Sequence, residues 1–255
     1  MAEPYPDEQV ERALVVMAHP DDIDFGSAGT IAGWTDAGIT VTYLLVTTGD
    51  AGGFDDAAVR EDVPAARMAE QRAAAKAVGV DDVRFLGHPD PDGSPNGDLQ
   101  RDGLVESTPG LRRDISRVIR RVRPNRVLTT TPEWHLERMP VSHPDHMHTG
   151  EATIRAVYPD ARNPYAYPEL LREEGLAPWV VRELWVGGGR ENNHVVDVSA
   201  AVERKFAALS NHSSQFPDGF EPVEATVRDW MRATAAEAGL SEGAYGEIYA
   251  VHRIG

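Results

Sequence analysis

The first apolar run of the chain, Ala13-Leu14-Val15-Val16-Met17, is short, uninterrupted and fenced by polar residues. That is the pattern of a strand buried on both faces. Residues 26–37 fit a helix, with Gly38 placed to end it. Ile39 to Thr47 is β-branched and apolar, a second strand, and it runs into the Gly-rich stretch Thr48-Gly49-Asp50-Ala51-Gly52-Gly53. The pattern then predicts an Ala-rich helix over Pro64 to Val78 and a third strand over Asp82 to Leu86. A basic amphipathic helix follows over Pro109 to Arg123, closed by Pro124, with a fourth strand at Arg126 to Thr130. Strand and helix alternate, the signature of a parallel sheet with right-handed crossovers.

The second half is less regular. It predicts a helix over His146 to Tyr158, short strands at Leu184 to Val186 and Val195 to Val198, and a helix over Ala200 to Leu209. Residues 159–178 read as irregular. Residues 217–239 are expected to form a cap or a subunit contact, which leaves a homo-oligomer open. No repeat or linker divides the 255 residues. The expectation is one α/β domain, Rossmann-like, with helices on both faces of a mostly parallel sheet. Such sheets bind ligands beyond the carboxyl ends of their strands. Four polar stretches sit there: His19–Asp22, Thr48–Gly53, His88–Asp90 and the segment after Thr131.

Composition narrows the partners. With 41 acidic against 25 basic residues the formal charge is −16. This field repels phosphate backbones and anionic membranes, so neither nucleic acid nor a membrane is the expected partner. The absence of cysteine removes disulfides and thiolate ligands, so any metal must be held by His, Asp or Glu. The acidic N-terminus has no basic segment, and the run 13–18 is too short for a signal-peptide core or a membrane span. A cytoplasmic location is expected.

Candidate chemistry lies in two related blocks, Ala18-His19-Pro20-Asp21-Asp22 and His143-Pro144-Asp145-His146. Proline restricts the backbone of His19 and His143. In each block two potential ligands stand three residues apart, so one turn brings both to a point. Two such blocks behind strands can converge on a divalent ion that keeps a position for water. Of the two carboxylates, one is expected to bind the ion and the other to act as a free base. Spacing also allows a simple helix-capping role for Asp21 or Asp22. His88-Pro89-Asp90 repeats the triplet but has Pro91 where the others have a fourth ligand, and reads as a substrate-facing loop. His135 and His148 are expected near the site without ligating, and His194 and His252 away from it.

These blocks resemble those of the LmbE-like (PIG-L) family of zinc-dependent deacetylases, which act on N-acetylglucosaminyl groups and related amides. Arg67-Met68-Ala69-Glu70 is similar to the family's R-x-x-E element. Phe85-Leu86-Gly87 with Asp90 resembles its third strand and loop, and Lys205 with His212-Ser213-Ser214-Gln215 its late K…H-x-S-Q element. The resemblance implies a Rossmann-like fold and zinc, or ferrous iron, held by His19, Asp22 and His146. It implies Asp21 as general base, a charged His143 supporting the oxyanion and protonating the leaving nitrogen, and Asp145 orienting His143 and favouring its charge. Arg67 and Asp90 would contact sugar hydroxyls, and His212 would line the pocket or pin the late helix. The partner would be a small N-acetylated sugar or glycoconjugate. Met139-Pro140-Val141-Ser142 lacks the Tyr that some thiol-sugar deacetylases carry before the second block. A rival within metal hydrolysis is an amidase acting on an acyl-cysteine S-conjugate. A nucleotide- or sugar-binding module is the non-catalytic rival, but the first loop has no G-x-G-x-x-G and its acidic side chains would repel a pyrophosphate.

Overall fold

The structure, a computed structural model, describes residues 3–53 and 62–255. Seven strands form one sheet: β1 (Arg12–Met17), β2 (Thr40–Leu45), β3 (Asp82–Phe85), β4 (Arg126–Thr130), β5 (Glu183–Gly187), β6 (His194–Asp197) and β7 (Gly246–Arg253). Their spatial order is β3-β2-β1-β4-β5-β7-β6. The first five run parallel, while β7 pairs antiparallel with both β5 and β6.

The strands alternate their side chains between two cores. Val15 and Met17 of β1, Tyr43 of β2 and Trp185 of β5 face one layer, with α2 (Ala28–Asp36) and α3 (Val63–Ala77) packed over them. Leu14, Val16, Leu44 and Val127 face the other, under α4 (Pro109–Val122) and α5 (Pro144–Arg155). This is the arrangement that continuous apolar strands require, since burial on both faces removes the need for a polar side.

Three local departures from the sequence expectation matter. The helix expected over 26–37 is α2, which starts at Ala28, and a separate short helix, α1 (Asp22–Gly26), precedes it across a break at Ser27 with φ −146°. Helix α5 starts two residues earlier than expected, with Pro144 in its first turn and His143 as the capping residue. Strand β7 was not anticipated; it lies between β5 and β6 and carries a buried Glu247 whose carboxylate accepts from Lys205 Nζ at 2.7 Å. The later helices are α6 (Pro168–Arg172), α7 (Val202–Leu209) and α8 (Glu221–Glu237), so residues 217–239 are mostly one helix. Among the described residues, no helix is long and apolar enough to cross a membrane.

From β1 the chain builds outward to β3, then returns to place β4 on β1's other side. The crevice at this reversal opens at the carboxyl ends of β1 and β4. Both histidine blocks follow those ends.

Candidate active site

The two blocks meet. His19 Nδ1 lies 3.2 Å from His146 Nε2 and 3.4 Å from Asp22 Oδ2, and His146 Nε2 lies 3.0 Å from Asp22 Oδ1. Donors bonded at zinc-like lengths in a tetrahedron stand about 3.3 Å apart. In this triangle of side chains the two nitrogens match two corners of one coordination shell, and Asp22 meets each of them through a different carboxylate oxygen. Asp22 is held in place by the backbone N–H of His19, which donates to Oδ2 at 2.8 Å. Neither aspartate caps α1 through its side chain: Asp21 is the N-terminal flanking residue and makes no capping bond.

The far nitrogen of His19 explains its orientation. Its Nε2 is 3.1 Å from Asp102 Oδ1 and 3.2 Å from Asp145 Oδ2. An imidazole gripped by carboxylates through one nitrogen presents the other as a ligand. Burial alone would lower the pKa of His19, but Asp22, Asp102 and Asp145 outweigh it and push the imidazolium up to about 12. The same histidines, His146 first, hold Asp22 well below the usual carboxylate range against the effect of its burial. A field that keeps a proton on His19 also favours a divalent cation between these atoms. The donor set fits such an ion.

Asp145 is not the partner of His143 that the resemblance implied. Its oxygens accept from Gly103 N at 2.6 Å and Val105 N at 3.2 Å, besides meeting His19. Only its backbone touches the capping ring: Asp145 N–H donates to His143 Nδ1 at 3.2 Å. An Nδ1 that accepts must leave the ring proton on Nε2. Desolvation, then the neighbouring charges of His19 and His146, lower the His143 pKa, so the charged form that the resemblance implied is disfavoured. The His143 ring packs 5.0 Å from that of His19 and 5.3 Å from that of His146.

Asp21 stands beside the triangle in a left-handed conformation, φ 95°, costly for a residue with a Cβ. Burial, then the neighbouring Asp22, pushes its carboxyl up to about 6, with Arg67 opposing. Arg67 is nearly buried, and its Nη2 donates to Pro20 O at 2.5 Å and Asp21 Oδ2 at 3.1 Å while Nη1 reaches Gly49 O at 3.3 Å. Any Cβ at Gly49 would strike that guanidinium. Arg67 is thus committed to fixing Asp21 and the loop after β2 instead of waiting for a sugar.

Asp90 is also committed elsewhere. Its side chain is 1% exposed, and its oxygens accept from Arg84 at 2.6 Å, Arg121 at 2.7 Å and Asn96 at 3.0 Å. The expected sugar contact finds no free oxygen there. His148 Nδ1 bonds Val105 O, and His194 stacks edge-on against Trp185, in keeping with non-ligand roles. His212 is fully buried and bonds Asp24, so it pins the turn after α7 rather than lining a cavity. The residue that sequence reading missed is Asp102. It lies in an irregular segment with no motif, and only the fold brings it to His19.

Comparison with known proteins agrees with this geometry. The family model PIG-L, GlcNAc-PI de-N-acetylase, matches residues 14–157, which span both histidine blocks. The chain is 32% identical over 229 residues to the diacetylchitobiose deacetylase of Thermococcus kodakarensis, covering 88% of this chain and 78% of the relative. It is 31% identical to a probable N-acetyl-alpha-D-glucosaminyl L-malate deacetylase 2 of Bacillus cereus, over 87% of this chain and 91% of the relative. The solved N,N'-diacetylchitobiose deacetylase of Pyrococcus horikoshii superposes with a TM-score of 0.84 at 27% identity, over 97% of this chain and 86% of that one. A doubly wound α/β sheet with a His/Asp cluster at its switch point is an α/β class whose cluster could hold a metal ion. Within that class, the chain belongs to the PIG-L deacetylase family.

Proposed function

We propose that the protein removes the acetyl group from an N-acetylated amino sugar, with zinc held by His19, Asp22 and His146. The observation that carries this reading is the approach of those three side chains to 3.0–3.4 Å of one another, with a second carboxylate, Asp21, left beside them. A cation there supplies Lewis acidity to the amide carbonyl and to water. Among ions compatible with two imidazoles and one carboxylate, zinc is the natural occupant and ferrous iron the alternative.

The chain's own residues divide the remaining work. Asp21, its carboxyl pushed up to about 6, takes the proton of the attacking water near neutral pH. The water oxygen bonds to the carbonyl carbon. His143, with its proton on Nε2, donates a hydrogen bond to the oxyanion that develops there. As the C–N bond breaks, Asp21 returns its proton to the departing nitrogen, which leaves acetate and a free amine. The relatives compared above are named as a diacetylchitobiose deacetylase and a probable N-acetyl-alpha-D-glucosaminyl L-malate deacetylase, which supports a sugar of that kind as substrate.

An acetate-release screen over N-acetylated sugars, with metal removed and restored, tests this reading. Asp21→Asn should keep its metal and lose about 10²–10⁴-fold in turnover, whereas His146→Ala should lose metal. Metal loss of equal size in both variants contradicts the division between base and ligand. Absence of acetate from every sugar with metal present ends the deacetylase reading.

A further inference from the structure

Behind the site, the strained backbone of Asp21 is held by groups for which the reaction itself has no use. Asp21 N–H donates to Gln71 Oε1 at 2.9 Å, and Gln71 Nε2 donates to Asp24 Oδ2 at 2.8 Å. His212 Nε2 donates to the same oxygen, also at 2.8 Å. All three side chains are fully buried, and they come from α3, α1 and the turn after α7. We propose that Gln71, Asp24 and His212 form a positioning relay that holds Asp21 in its working orientation. The proposal rests on the reading of Asp21 as the base.

Each bond fixes the next. The Asp21 N–H demands an acceptor and the Asp24 carboxylate demands a donor, so only one orientation of the Gln71 amide satisfies both. His212 must then carry its proton on Nε2. Stability does not explain this arrangement. Among the described residues Asp24 Oδ1 and His212 Nδ1 are buried without a hydrogen-bond partner, and an apolar trio would avoid that penalty. What the relay secures is a backbone that Asp would otherwise leave, φ 95° at residue 21. Arg67 grips the Asp21 carboxylate from the other end, so head and backbone are fixed independently. Unlike Arg67, none of the three relay side chains is hydrogen-bonded to the Asp21 carboxylate among the described residues, and they act through Asp21's position.

Polarity exchange tests the relay. Gln71→Glu keeps an acceptor for Asp21 N–H but sets a carboxylate against Asp24, and Asp24→Leu leaves Gln71 Nε2 and His212 Nε2 without an acceptor. Each single variant should lose about 100-fold in kcat, with KM and metal content unchanged. The double variant, Gln71→Glu with Asp24→Asn, restores a complementary pair, the new carboxylate at position 71 accepting from the new amide at position 24, and should regain most of the loss. In crystal structures Asp21 should leave positive φ in the single variants and return to it in the double. Gln71→Met, which adds no buried charge, carries the same expectation if Gln71→Glu does not fold. Wild-type kcat in the single variants, or an unmoved Asp21 backbone in their crystals, overturns the relay. A wild-type enzyme that releases no acetate would instead refute the deacetylase reading, while the Asp21 backbone in the crystals would still decide the relay.

Discussion

At the scale of residues, the histidine blocks announced their chemistry, but the partner of each ring had to be seen. The family resemblance implied that Asp145 orients His143, two residues before it. Helix geometry prevents it: with His143 capping α5, the Asp145 side chain swings to His19 and to the amides of Gly103 and Val105. Asp145 therefore acts on His19, the proposed metal ligand. Asp145→Asn should weaken metal affinity by about 10–100-fold, measured by competition with a chelator of known affinity. If His143 were its target, metal affinity would hold and only turnover would fall. Asp102 shares the grip on His19 yet had no signal in the sequence, because its place depends on a loop folding back across the sheet.

At the scale of elements, strands with uninterrupted apolar runs were legible, and β1 to β5 fall where the pattern put them within a few residues. Strand β7 was not, since Glu247 and His252 break its apolar run. Its burial depends on Lys205 reaching Glu247 at 2.7 Å from another element, a contact that no local pattern encodes. The start of α5 was misplaced by two residues for a related reason: the capping ring of His143 lies outside the apolar period that marked the helix. The seat of that helix depends on Gly150, one turn beyond His146. A Cβ there would collide with Thr130 O at the end of β4, and a backbone carbonyl cannot swing away as a side chain can. Gly150→Ala should push α5 off the sheet and cost about 1–3 kcal/mol, read as a lowered denaturation midpoint. Because His146 rides on the displaced helix, metal content should fall in the same variant. A stable Gly150→Ala protein with full metal content would show that the helix does not set the ligand's position.

At the scale of the molecule, the site gathers charge that the fold alone does not balance. Asp21, Asp22, Asp102 and Asp145 crowd around His19 and His146 in a chain of net charge −16. They arrive from segments after β1, β3 and β4, so whatever neutralises them also ties those segments together. A cation bound only by the folded state stabilises it by mass action, about 2.7 kcal/mol at a hundredfold excess over Kd. For a chain of this length that corresponds to roughly 5–10 °C in Tm. Chelation should lower the melting temperature by about that amount, and zinc should restore it. General screening of an acidic protein would also raise Tm on adding salt, which sets the control. Magnesium at matched ionic strength screens as well but prefers oxygen ligands and an octahedral shell, so it should fail to restore what zinc restores. Equal recovery with magnesium would mean that the cluster responds to charge in bulk, and that the two imidazoles select nothing.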